Sequence, residues 1–254
     1  MENTTSIIEE AKDFLSKRIP YEKSHQKTHF FFDSKTILPN SSFKENETQK
    51  LISYFTKKLN ESKNEFELSK NYHLRACVFF DNLQYEQSLF DYLEAEKYDS
   101  KNPILFYDLS CVYQTNNEIE KSQYYAEKAL ELYPNYTQAI DILAHCHKKN
   151  NNRSKAISLL EKCLKIDQQY IPAFLALSRI YKDIGNENHD KKYFQLEYKC
   201  YHHIHEISKE IDIKIYRSSF CIAMNRCINI EKEYISGSIL FEKMNKCVEI
   251  YPGN

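Results

Sequence analysis

The sequence predicts an all-α protein of stacked antiparallel helix pairs, on three observations. The first is composition. Its 254 residues include only 3 glycines and 6 prolines, about 3.5 % against an average usage of roughly 12 %. Sheet-rich folds need glycine for tight turns and bulges, and phosphate-cradling loops need it for close backbone approach. Gly185, Gly237 and Gly253 lie too far apart to build such a loop. P-loop and dinucleotide-binding readings are therefore excluded, and a helical chain remains. The second observation is an internal period of 34 residues. The third is that large and small residues within each period recur at helical spacing.

The period starts at residues 69, 103, 137 and 171. Its fourth position reads Tyr72, Phe106, Ile140, Phe174, and its seventh Arg75, Leu109, Leu143, Leu177. The eighth reads Ala76, Ser110, Ala144, Ser178, and the eleventh Phe79, Tyr113, His147, Tyr181. These four positions share one face of a first helix. Farther on, Ser88, Ser122 and Ala156 recur, then Ala95, Ala129 and Cys163, then Tyr98, Leu132 and Ile166. They share one face of a second helix, and their small members let the two helices approach closely. Polar connections are expected at 81–84, 116–118, 149–153 and 183–187. Each pair buries its apolar face only when the next pair stacks on it.

The flanks read as helical too. Residues 6–18 carry an amphipathic stripe ended by Pro20, and 25–43 read as a linker or loosely packed segment whose Phe30–Phe32 either engages a partner or, the favoured reading, packs back on the array. A second amphipathic helix is expected over 47–66. Residues 213–228 and 234–250 read as a terminal helix pair. The expected organisation is N-terminal helices and linker over 1–66 and repeats over 67–210 (69–102, 103–136, 137–170 and 171 to about 210). A divergent capping pair over 211–254 follows.

The pattern resembles the tetratricopeptide repeat, whose signature W-x2-L-G-x2-Y is followed by spaced Ala, aromatic, Ala and Pro. The second repeat carries it most fully, with Phe106, Leu109, Ser110, Tyr113, Ser122, Ala126, Ala129, Leu130 and Pro134. The third has Ile140, Leu143, Ala144, His147, Ala156, Leu160, Cys163 and Leu164, with Gln168 for Pro. The first has Arg75 for an apolar residue and Ser100 for Pro, and an Arg there suits an outermost repeat with a wet outer face. The fourth keeps Phe174, Leu177, Ser178 and Tyr181, but Asp190 and Glu197 fall where small residues belong. Either the register shifts after Gly185 or its second helix is longer, over about 188–209.

The resemblance implies a right-handed α-solenoid whose first helices line a concave groove. Mapped residue by residue, an apolar half of that groove holds His73, Cys77, Phe80, Tyr107, Cys111 and Gln114. A basic half holds His145, Lys148, Lys149, Arg179 and Lys182, set against Asp141 and Asp183. It implies a non-catalytic scaffold or adaptor, part of a multi-subunit complex, binding a partner peptide or helix with some acidic character. Phe80 and Tyr107 would be its aromatic anchors. One subtype of the family clamps chaperone C-terminal carboxylates with Lys, Asn and Arg. The matching positions here hold His73, Cys77, Asp108, Gln138 and Ile142, which disfavours a chaperone tail.

Other chemistry finds little support. A formal net charge of −1 disfavours nucleic acid, though a helical-repeat RNA-processing factor and an enzyme-associated regulatory subunit stay as alternatives. The eight cysteines form no C-x-x-C pair, and without a secretory signal they read as reduced thiols in a cytoplasmic protein, a nuclear location being open. No apolar run is long enough for a membrane span. His145–Cys146–His147 and Cys200, His202, His203 and His205 lack the paired spacings of a closed zinc shell, so no metal or cofactor is expected. No nucleophile, metalloprotease or kinase signature occurs, and no catalytic residue is expected.

Overall fold

The computed structural model describes residues 45–210. The readings of 1–44 and 211–254, including Phe30–Phe32 and the terminal helix pair, lie outside the described residues. Within them the chain is helical, with no strand. Nine helices follow in order: α1 (Glu45–Glu61), α2 (Glu65–Asp81), α3 (Tyr85–Tyr98), α4 (Pro103–Thr115), α5 (Ile119–Leu132), α6 (Thr137–Lys149), α7 (Arg153–Ile166), α8 (Ile171–Asn188) and α9 (Lys191–Glu210). Two compact units result, one ending at Ile166 and one beginning at Asp167. No helix among the described residues is long and apolar enough to cross a membrane.

In the first unit α2 packs on α3, α4 on α5 and α6 on α7, and successive pairs pack on one another. One apolar core runs from Leu51 and Phe55 of α1 through Phe106, Leu109 and Val112 of α4 to Cys146 of α6. Tyr92, Phe106, Leu105, Leu109, Ile140 and Leu160 are fully buried, each stabilising the fold by roughly 1.5–3 kcal/mol relative to exposure. The small positions do what their size requires. Ser88 Oγ donates to Ala76 O, and Ser122 Oγ to Ser110 O, both at 2.9 Å. The same bond thus joins the two helices of the first two repeats.

The turn inside each pair also repeats. Leu83, Asn117 and Asn151, spaced by the 34-residue period, all have φ near 60°. After each first helix the chain closes with two nested bonds. Gln84 N donates to Phe79 O and Leu83 N to Phe80 O, Glu118 N to Tyr113 O and Asn117 N to Gln114 O, Asn152 N to His147 O and Asn151 N to Lys148 O. This left-handed cap satisfies carbonyls that the helix end leaves open. Asparagine tolerates it better than most residues, which is how so few glycines suffice.

Three expectations are corrected. The helix read over 47–66 is two helices: α1 stops at Glu61, and Asn64 caps α2 by accepting from Glu67 N. Phe66 belongs to α2 and is exposed. Arg75 does not sit on a wet outer face, because α1 covers α2. Its Nε and Nη2 meet both oxygens of Asp91 at 2.6 and 2.8 Å, and its Nη1 donates to Thr56 Oγ1 of α1. The third correction lies in the second unit. The connection read at 183–187 is helical, α8 running one turn longer to Asn188 and turning at His189, φ 52°. Gly185 lies inside that helix, and the Phe194 ring of α9 takes the space a side chain would need; a Cβ at Gly185 would come within 2.9 Å of Phe194 Cε1. The second helix of this pair is long, as one of the two alternatives held. Asp190 is exposed and caps α9 through Lys192 N, whereas Glu197 is buried.

Candidate functional site

Nine of the expected site residues lie on the first helices α2, α4 and α6 of the first unit. Their exposure divides the expected site residues into two groups. Phe80 is half-buried, its ring 5.5 Å from Tyr85 in an edge-on contact. Gln114, His145 and Lys148 are half-buried, and Lys149 is exposed. These side chains are at least partly accessible. His73, Cys77, Tyr107 and Cys111 are buried. Tyr107 is held against Tyr136 with ring centroids 5.1 Å apart, so its ring is packing rather than contact area. Arg179, exposed, and Lys182, half-buried, lie on α8 of the second unit.

The burial of His73 and Cys77 has a cause that their repeat positions did not reveal. One helical turn apart on α2, they share a face, and Asp108 of α4 lies across from both. His73 Nε2 is 2.7 Å from Asp108 Oδ2, and Cys77 Sγ is 3.9 Å from the same oxygen. The Tyr92 hydroxyl of α3 donates to Cys77 Sγ at 3.3 Å, and the Tyr92 ring meets His73 edge-on. Burial alone works against a charged imidazole, but the neighbouring Cys77 and Asp108 outweigh it and hold His73 up at about 10. One atom each from His73, Cys77 and Asp108 lie within 4.8 Å of one another. No other trio of possible metal donors is so close among the described residues. The His145–Cys146–His147 run and the Cys200–His203 stretch form no such group there. An H-x3-C spacing on a groove face, with an acid 31 residues beyond the cysteine, was the signal available in the sequence.

Two further features border this surface. A cleft of about 770 Å³ between α1 and α2 is lined by Tyr54, Lys58, Lys70 and Leu74, among others. Behind the wall, Glu96 of α3 accepts from both Tyr125 and Lys128 of α5 at 2.8 and 2.7 Å. The Lys128 ammonium also sits 4.2 Å from the Phe106 ring centroid. That group is filled from within and offers no vacant aromatic pocket.

Comparison with known proteins agrees with this geometry. Residues 105–136 and 137–170 each match the tetratricopeptide repeat family. A protein of Arabidopsis thaliana, the CTR9 homolog, is 25 % identical over 156 residues, 60 % of this chain but 13 % of that protein. The chain therefore spans a small part of that relative. The crystal structure of MamA is 17 % identical with a TM-score of 0.53, over 61 % of this chain and 89 % of that one. That of YrrB, described as a TPR protein with an unusual peptide-binding site, is 17 % identical with a TM-score of 0.52. It covers 80 % of this chain and 95 % of its own. At such identities the likeness is one of fold, and the fold is the α-solenoid of antiparallel helix pairs.

Proposed function

Since the chain is a tetratricopeptide-repeat protein, we propose that it acts as a non-catalytic interaction scaffold, holding a peptide or helix of a partner along its first helices. The observation that supports this most directly is the graded wall of the first unit. Half-buried Phe80 and Gln114 on α2 and α4 give way to His145, Lys148 and Lys149 on α6. An apolar anchor next to a basic run suits a segment with one large apolar residue and acidic neighbours. The wall also suits an adaptor within a larger assembly, since extended peptide contacts of this type bind through one face and leave the other open. YrrB, similar in fold, is described as having a peptide-binding site.

The test is position-specific photo-crosslinking in native extract. A photoreactive side chain at Gln114 or Lys149 should capture the same partner, and one at exposed Tyr124 of α5 should not. The charge reversal Lys149→Glu should lower that capture several-fold while leaving the unfolding midpoint in place, because the residue is exposed. Equal capture from Tyr124, or capture indifferent to Lys149→Glu, would reject the wall as the binding face.

A further inference from the structure

We propose that His73, Cys77 and Asp108 form a binding site for a divalent transition metal ion, zinc foremost, clamping the first repeat to the second. The donor set is the first argument. Imidazole nitrogen, thiolate sulfur and carboxylate oxygen are the three side-chain donors zinc uses, whereas calcium and magnesium take oxygen alone. Distance is the second. With zinc bonds of about 2.0 Å to N and O and 2.3 Å to S, a tetrahedron places N and O about 3.3 Å apart and S and O about 3.5 Å. The observed separations are 2.7 and 3.9 Å. Seating the ion therefore asks the imidazole–carboxylate pair to open by roughly half an ångström and the thiol to close by less. His73 and Cys77 come from one turn of α2, so two donors are pre-positioned on one rigid element.

Charge is the third argument. The ion's two positive charges would face one thiolate and one carboxylate, so the filled site would hold no uncompensated charge in a buried place, which is the usual obstacle. The thiol proton of Cys77, and any proton on His73 Nε2, would leave to solvent on binding. The Tyr92 hydroxyl, already donating to Sγ, would remain as an outer donor to the thiolate. Asp108 keeps about a tenth of its side chain exposed, 11 %, which gives the ion its route in and leaves a fourth position for water.

The experiment titrates cobalt(II) into the full chain, stripped with chelator and kept reduced with a phosphine. One equivalent should produce a thiolate-to-cobalt charge-transfer band and the intense visible bands of a four-coordinate site. Zinc should bleach both and raise the unfolding temperature. Cys77→Ser changes one atom and should abolish the charge-transfer band, whereas Cys163→Ser, at another buried thiol, should keep it. Asp108→Asn should weaken zinc binding at least tenfold, and circular dichroism checks that each variant is helical. No thiolate band in the folded wild-type chain would overturn the proposal whatever the variants do. So would a band that survives Cys77→Ser, since one of the other seven cysteines would then be the ligand.

Discussion

Replacing Arg75 with Met tests how the first repeat is held. The substitution keeps much of the aliphatic stem, which lies near the Tyr72 and Phe79 rings, and removes the guanidinium. Two bonds to Asp91 and one to Thr56 disappear. The Asp91 side chain is 1 % exposed, so water cannot replace them. Stranding a buried carboxylate in this way costs about 3–5 kcal/mol, a large share of a typical stability of about 5–15 kcal/mol. Removing both charges, with Arg75→Met and Asp91→Leu together, should recover most of that loss, because no buried ion is left behind. The pH dependence has a definite sign. Burial pushes the Asp91 carboxyl up and Arg75 pulls it back; without Arg75 it rises further. A raised carboxyl favours the folded state when protonated, so the deficit should shrink in acid and grow as pH rises through the new folded pKa. Urea unfolding followed by circular dichroism gives the magnitude. Hydrogen exchange separates opening of α2 and α3 from that of later pairs, which repeat proteins allow. A loss below about 1 kcal/mol, the scale of a surface pair, would refute the account. A double variant as unstable as the single one would refute it equally.

Three smaller tests follow from the repeat comparison. Leu83 is 71 % exposed with φ 61°, so Leu83→Gly should stabilise by about 1 kcal/mol by relieving a left-handed backbone, read as a higher denaturation midpoint. His147 holds an aromatic position, but its buried Nε2 has no hydrogen-bond partner and burial lowers its pKa. His147→Phe should therefore stabilise by about 1 kcal/mol, and calorimetry showing a lower melting temperature would contradict that. Glu197 is 2 % exposed, with a pKa pushed up to about 7 by burial and by Asp183. A carboxyl raised above its unfolded value stabilises the fold below that value and loses the contribution as pH rises to about 7. The second unit should thus weaken from mildly acid to neutral pH, and Glu197→Gln should flatten that profile in hydrogen-exchange measurements on α8 and α9.

Much of the fold was legible because its periodic features are local. The connections at 81–84, 116–118 and 149–153 fall between helices as read, since apolar spacing breaks there, and at the second and third Asn117 and Asn151 stand at the left-handed position. The fourth connection was misplaced for the same reason that the others succeeded. Gly185 sits 34 residues after Asn151 and is the residue best suited to a left-handed turn, yet it serves as the space for Phe194. Periodicity reports where a turn would fall and is silent on a ring that arrives from the next helix. Arg75 shows the same limit: its partner Asp91 is on the second helix and its cover, α1, precedes the first repeat. For the candidate site, the sequence placed His73, Cys77 and Asp108 at groove positions one by one. Their meeting depends on how α4 lies on α2, and no spacing within a repeat encodes that.

The polar contacts between helices bear on what the wall can do. Arg75 ties α2 to α1 through Thr56, Asp108 ties α4 to α2 through His73, and Glu96 ties α3 to α5 through Tyr125 and Lys128. Apolar packing alone tolerates small slips between stacked helices, because any apolar neighbour satisfies another. A buried ion does not, since a slip of one turn leaves it without its partner at a cost of several kcal/mol. These contacts therefore favour one register of stacking over α1 to α5. That register sets the separations of the side chains on α2 and α4, Phe80 and Gln114 among them, before any ligand arrives. Binding to such a surface does not have to order the receptor side, and affinity then depends on how well the partner segment matches those separations. It follows that Asp108→Asn and Arg75→Met, neither of which changes an exposed wall side chain, should weaken partner capture in proportion to the register they loosen. Lys149→Glu should weaken it with no change in stability. Those two signatures separate a residue that shapes the wall from one that touches the ligand.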